Sequence, residues 1–282
     1  MTQIVYFPGQ GSQKLGMGEG LFDAFPEETA KADGILGYSI KELCLEDPRE
    51  ELNSTQFTQP ALFVVSALAF FQREKEGAAA ADYLAGHSLG EYNALLAAGV
   101  FDFETGLRLV QKRGALMAAA SGGGMAAVLG VGPDRVKEII ETNAFESIDV
   151  ANFNSPAQTV ISGPEEGLSL AQKAFNEAGV KAFIPLKVSA PFHSRYMQPA
   201  ADEFAEFLKG FHFAEPKIPV IANTTAEAYP PGGVADLLAR QISSPVRWLD
   251  TVKFFLSQPE PEFTEVGPGR VLSGLLAKIK RG

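Results

Sequence analysis

"YLAGHSLGEY", residues 83–92, runs a short apolar segment into a serine held between glycines and then into a helical pattern. The apolar part, Tyr83 to Ala85, reads as a strand. A helix is expected from about Glu91 to Ala98, closed by Gly99. Strand, Gly-x-Ser-x-Gly, helix is the context that gives the nucleophile-elbow motif its physical meaning, because the glycines allow a strained turn and a close backbone approach. Such a turn lifts the Ser88 hydroxyl onto the rim of a sheet and sets the N–H of Leu89 at a helix N-terminus, where it can face an oxyanion. The alternative is a small residue where the chain merely bends.

Working outward, "QIVYFPGQGSQ" reads as a strand, Gln3 to Phe7, broken by Pro8 and a Gly9-Gln10-Gly11 loop. A tetrahedral intermediate needs a second donor, and the Gln10 N–H on this loop is the candidate; a plain glycine turn is the other reading. Gln59 to Gln72 is apolar nearly all round, a buried helix with Pro60 expected in its first turn. "DFETGLRLVQKRGALMAAA" continues as a further helix up to Gly122-Gly123-Gly124. From Met125 the segments shorten and alternate as strand, helix, strand, strand, helix, strand, the βαββαβ order of a ferredoxin-like unit, ending near Val188. After it come the helix "SRYMQPAADEFAEFLKGF", the strand "IPVIANTT", helices at "VADLLARQI" and "RWLDTVKFFLSQ", the strand "EFTEVG" and the helix "GRVLSGLLAKIK". The expectation is an α/β fold: a large hydrolase-like domain with a mostly parallel central sheet, residues 1–124 and 189–282, carrying a ferredoxin-like subdomain at 125–188.

Bulk properties narrow the function. The 282 residues are 46% hydrophobic and 21% charged, as in an ordinary globular protein, and no apolar run approaches the roughly 20 residues that span a bilayer. With no signal peptide in view, the expected location is cytoplasmic, without a membrane partner. A net charge of −10 argues against nucleic acid, so any anionic ligand must be met by locally placed Arg, Lys or backbone N–H groups. The single Cys44 allows no internal disulfide and, without neighbouring Cys or His, no metal site.

A serine hydroxyl needs a general base, usually histidine. Of three histidines, His87 adjoins the serine and should project to the other side of the turn, and His212 lies in the amphipathic "KGFHFAEPK". His193 remains, in "VSAPFHSRYM", at a strand end where α/β proteins collect site residues. Arg113, in "LRLVQKRGALM", is either a solvated helix charge or a planar fork for a substrate carboxylate.

These residues resemble the malonyl-CoA:acyl-carrier-protein transacylases of fatty-acid and polyketide synthesis. "FPGQGSQ", "TQPAL", "GHSLGEYNALLAAG", "LVQKRGALM", "NFNSPAQTVISG", "APFHS", "RQISSPVRW" and "EVGPGRVLSGL" resemble family blocks and stand in family order. The resemblance implies ping-pong transfer: Ser88, deprotonated by His193, takes malonyl from malonyl-CoA and passes it to the phosphopantetheine thiol of an acyl carrier protein. It implies that a backbone carbonyl, here of Gln241, orients the histidine. It also implies that Gln10 and Leu89 form the oxyanion hole, that Arg113 pairs with the malonyl carboxylate, and that Gln59 and Asn154 line the pocket. Phe192, just before His193, matches the malonyl type by filling the space an α-methyl would need, and Leu89 after the serine fits the same type; Ala190 and Pro191 depart from the polyketide-domain tetrad. One methyl is worth only about 1–3 kcal/mol, so preference is expected, not exclusion.

No cofactor or metal is implied, and a monomer is expected. The alternatives are a proofreading acyl hydrolase of the same fold, whose members tend to lack the arginine, and a non-catalytic carrier-docking subunit. The chain reads as freestanding, and "GEYNALLAAGVFDFETGL" as somewhat closer to the trans-acting polyketide group. Lys278, Lys280 and Arg281 are candidates for steering the carrier protein.

Overall fold

The computed structural model describes residues 1–188 and 190–281. From the N-terminus, β1 (Thr2–Phe7) leads through α1 (Leu21–Ala24), α2 (Pro26–Leu36), α3 (Ile40–Leu45) and α4 (Thr55–Lys75) to β2 (Tyr83–Gly86), α5 (Gly90–Ala97) and α6 (Phe103–Ala119). There follow β3 (Gly124–Leu129), α7 (Pro133–Thr142), β4 (Asp149–Ser155), β5 (Gln158–Gly163), α8 (Glu165–Glu177) and β6 (Ala182–Pro185). The chain then adds α9 (Gln198–Leu208), β7 (Val220–Ile221), α10 (Val234–Ser243), α11 (Trp248–Leu256), β8 (Pro261–Glu265) and α12 (Val271–Ile279).

Four strands form a parallel sheet in the order β7-β2-β1-β8, with Phe7 paired to Gly86. Alternation along β1 sends Val5 and Phe7 into a large core shared with α4, α5 and α6, and Ile4 and Tyr6 into a second core with Trp248, Phe255 and Leu272. Both faces are therefore covered, which is why Ile4–Phe7 of β1 and Tyr83–Ala85 of β2 read as apolar runs, whereas the edge strand β8 alternates. The second sheet is antiparallel, in the order β4-β5-β3-β6. Val136 and Ile139 of α7, with Ala171 and Phe175 of α8, cover one face of it. This is the ferredoxin-like arrangement that the βαββαβ order led us to expect. The antiparallel sheet is tied to the segment between α10 and α11, where the N–H of Phe153 donates to Val246 O at 2.9 Å and the N–H of Val246 donates to Ala151 O at 2.9 Å.

Some elements differ from expectation. Helix α4 begins at Thr55, so Pro60 lies inside it and not in its first turn. The early start rests on polar burial, which leaves no apolar period to read: the Thr58 hydroxyl bonds the carbonyls of Leu52 at 2.6 Å and Ser54 at 3.0 Å. The strand expected at "IPVIANTT" shrinks to the two residues of β7, at the edge of the parallel sheet. Residues 12–54, which carried no clear pattern, supply α1 to α3. Residue 189, the expected start of the second large-domain segment, and residue 282, its end, lie outside the described residues. Among those described, no helix is long and apolar enough to cross a membrane.

Candidate active site

The turn between β2 and α5 is built by close contact. A Cβ on Gly86 would lie 1.9 Å from the carbonyl carbon of Gly90, and one on Gly90 would lie 2.1 Å from Phe7 O, so no side chain fits at either place. Packed this tightly, the turn forces Ser88 into the left-handed region, φ 51°. That conformation costs on the order of 1–3 kcal/mol for a residue with a side chain, so the surroundings must hold it. The Ser88 N–H donates to Asn223 Oδ1 at 2.7 Å, and Asn223 Nδ2 donates to Gly86 O at 2.6 Å, clamping the elbow from the end of β7.

His193 is also left-handed, φ 57°, in the loop that precedes α9. Its Nε2 lies 2.8 Å from Ser88 Oγ, and its Nδ1 lies 2.9 Å from the main-chain oxygen of Gln241 on α10. A carbonyl only accepts, so Nδ1 carries the proton and Nε2 presents its lone pair to the serine. Burial, and then the neighbouring Arg113 cation, press the His193 pKa down to about 3 against the opposing pull of the Gln241 carbonyl. The imidazole is thus neutral at ordinary pH. His87 faces elsewhere, as expected: its Nε2 pairs with Asn154 Oδ1 at 2.8 Å and its ring meets the Trp248 ring edge-on at 5.7 Å.

Arg113, on α6, is fully buried, which overturns the solvated-charge alternative. Its Nη1 donates to Gln59 Oε1 at 2.7 Å, its Nη2 to Gln241 Oε1 at 2.8 Å and to Ser88 Oγ at 3.1 Å, and it sits 5.5 Å from the centre of the Tyr92 ring. Among the described residues no carboxylate touches it, and its Nε has no partner. A buried cation held only by neutral groups is costly, and an arriving carboxylate would relieve it.

These groups surround a cavity of about 110 Å³, lined among others by Gln10, Gln59, Ser88, Leu89, Arg113, Phe192 and His193. Neither the Gln10 nor the Leu89 N–H has an acceptor among the described residues, and both residues line the cavity beside the serine. An adjoining groove of about 470 Å³ shares Gln10, His87, Asn152 and Leu186 with the cavity and extends to Arg270 and Lys278. Asn154 lines this groove and supports His87; it is not part of the cavity lining. Gln241 does more than expected, bonding Arg113 and Ser88 O through its side chain as well as His193 through its carbonyl. Sequence reasoning missed Asn223, Glu91 and the cavity-lining Met117, Met125 and Asn152. Of these only Glu91 carried a signal, a charged residue inside a motif that is otherwise buried.

Known proteins share this architecture. The acyl transferase domain family model matches residues 5–277. The polyketide biosynthesis malonyl CoA-acyl carrier protein transacylase BaeC of Bacillus velezensis is 52% identical over 275 residues, covering 97% of this chain and 95% of that protein. The malonyl CoA-acyl carrier protein transacylase of Escherichia coli K12 is 41% identical, covering 99% of this chain and 93% of that protein. Among solved structures, the malonyl CoA-acyl carrier protein transacylase of Burkholderia pseudomallei superposes with a TM-score of 0.96 at 46% identity, covering 100% of this chain and 98% of that one. A malonyl-transacylase in complex with a type II polyketide acyl-carrier protein, PlMCAT:AntF, gives a TM-score of 0.94 at 40% identity, covering 100% and 94%.

Proposed function

The chain belongs to the malonyl-CoA:acyl-carrier-protein transacylase family, and from that premise we propose how its own residues carry malonyl from malonyl-CoA to the phosphopantetheine thiol of a carrier protein. The Ser88 hydroxyl attacks the thioester carbonyl while His193 Nε2 takes its proton. The Gln10 and Leu89 N–H groups receive the oxyanion. As the tetrahedral intermediate collapses, the carbon–sulfur bond breaks and the CoA sulfur leaves with the proton from His193. The carrier thiol repeats the sequence in reverse on the malonyl ester: its proton goes to His193, its sulfur attacks, and Ser88 recovers its hydrogen. The Gln241 carbonyl keeps the imidazole in the tautomer both halves need. The pantetheine arm lies in the groove that adjoins the cavity. In this reading the chain is a cytoplasmic monomer that needs neither metal nor cofactor.

The observation that supports malonyl as the cargo is Arg113, a fully buried guanidinium with no carboxylate partner among the described residues, 3.1 Å from the hydroxyl that receives the acyl group. The carboxylate of an acyl group on Ser88 lies within its reach. A proofreading hydrolase would have no use for such a cation, and that alternative is not favoured. The higher identity to the polyketide transacylase than to the Escherichia coli protein, 52% against 41%, supports supply of a polyketide synthase. Intact-protein mass spectrometry after mixing with malonyl-CoA tests the chemistry. One malonyl adduct is expected on the wild type and none on Ser88→Ala, whereas an adduct surviving in the folded variant would put the nucleophile elsewhere.

A further inference from the structure

Behind the dyad lies a carboxylate that the reaction above does not use. Glu91, on the first turn of α5, is 1% exposed. One of its oxygens accepts from the Tyr229 hydroxyl at 2.7 Å and from the Asn223 N–H at 3.1 Å, and the other accepts from Gln241 Nε2. Each partner has a second attachment at the site. Asn223 holds the Ser88 N–H and Gly86 O. Gln241 holds Ser88 O at 2.9 Å, Arg113 at 2.8 Å and, through its carbonyl, His193 at 2.9 Å.

We propose that Glu91 is a positioning residue for acyl transfer, whose carboxylate locks the Gln241 amide and Asn223 so that nucleophile, base and guanidinium keep one relative geometry. The proposal rests on the acyl-transfer reading of Ser88. Three donors converge on Glu91, and an ionised carboxylate only accepts. With the amide of Gln241 donating to Glu91, its oxygen is left facing Arg113, which only donates. An amide or a protonated acid at position 91 brings a donor into the cluster. The Asn223 N–H cannot accept it, and where the new donor faces Gln241 that side chain accepts only by turning its own amide, which sets NH₂ against the guanidinium. The charge argument points the same way, since Glu91 offsets Arg113 across Gln241 without touching it and leaves the guanidinium open to a substrate carboxylate.

The state of this carboxyl is poised. Burial pushes it up to about 7, against the lowering effect of Tyr229, Gln241, Asn223 and Arg113. The titratable groups around it are Arg113 on α6, Tyr92 on its own helix and Tyr229 in the loop after β7, with His193 reached through Gln241. Protonation as pH falls through this value adds the disruptive donor, so transfer should slow on the acid side near neutrality. His193, held near 3, does not titrate there.

The test is the pH profile of malonyl transfer for wild type, Glu91→Gln and Tyr229→Phe, with the adduct on Ser88 measured in parallel. Glu91→Gln should lower kcat by about tenfold or more with KM for malonyl-CoA within about threefold, and the acid limb should vanish from what activity remains. Tyr229→Phe removes one donor to the charged form, so its limb should move to higher pH while the protein stays folded. Glu91→Asp, which restores the charge, should recover part of kcat together with the limb. A wild-type limb unmoved by Tyr229→Phe, or a Glu91→Gln enzyme with wild-type kcat, would overturn the positioning role. Absence of any malonyl adduct on wild-type Ser88 would instead overturn the acyl-transfer reading beneath it.

Discussion

In the proposed reaction, substrate choice turns on Arg113. Its guanidinium is fully buried and, among the described residues, makes hydrogen bonds to Gln59, Gln241 and Ser88 only. Truncation to Ala should leave a malonyl carboxylate buried without its countercharge, a penalty of about 3–5 kcal/mol, or upwards of about a hundredfold in loading rate. Acetyl-CoA brings no carboxylate and should lose far less. The measurement is the ratio of malonyl to acetyl loading in wild type and Arg113→Ala, with circular dichroism to verify the fold. Equal losses for both acyl groups would assign Arg113 to holding α6 and Ser88 in place. Phe192 lines the same cavity.

At the scale of elements, the elbow works because β2, α5 and β1 come closer than side chains allow. Gly90→Ala would place a Cβ 2.1 Å from Phe7 O and force α5 away from β1. The expected cost is about 1–3 kcal/mol or more, several degrees in melting temperature, together with loss of Ser88 loading as the Leu89 N–H moves off the oxyanion position. Gly34 in α2 is the internal control. Nothing lies within 4 Å of a Cβ built there, so Gly34→Ala should be neutral or stabilise by up to about 1 kcal/mol. Thermal unfolding and malonyl-adduct formation on both variants check the contrast.

Over the whole molecule, the cavity lies where two sheets meet, with Ser88 following β2 of the parallel sheet and Met125 and Asn152 coming from β3 and β4 of the antiparallel one. The Asn152–Val246 bridge and its flanking hydrogen bonds attach β4 to the segment between α10 and α11 at this seam. The molecule carries a net charge of −10, so an acidic carrier protein must be steered by local cations. The groove ends at Arg270 and Lys278, whereas Lys280 sits over the Phe263 ring at 4.8 Å. Neutralising Arg270 and Lys278 together should raise KM for carrier protein several-fold at low salt and less at high salt. An unaltered KM would move the docking surface to another face.

What the sequence determined by itself was what short-range constraints encode. Glycines flanking Ser88 announce a turn that admits no side chain, the alternation after Met125 announces βαββαβ, and three histidines leave one at a strand end. Tertiary structure decided the rest, because the deciding contacts join residues with no local relation. Gln241 meets the Ser88 carbonyl across 153 positions, and Asn223 meets its N–H across 135, so neither pairing leaves a period or spacing to read. The same holds for Arg113, whose helix pattern resembles that of any amphipathic α6 with a charged face. Only the packing of α6 against α4, with α2, α9 and α5 around it, removes Arg113 from water, and with water gone the guanidinium is left with a demand for an anion, which is why the proposed cargo carries a carboxylate.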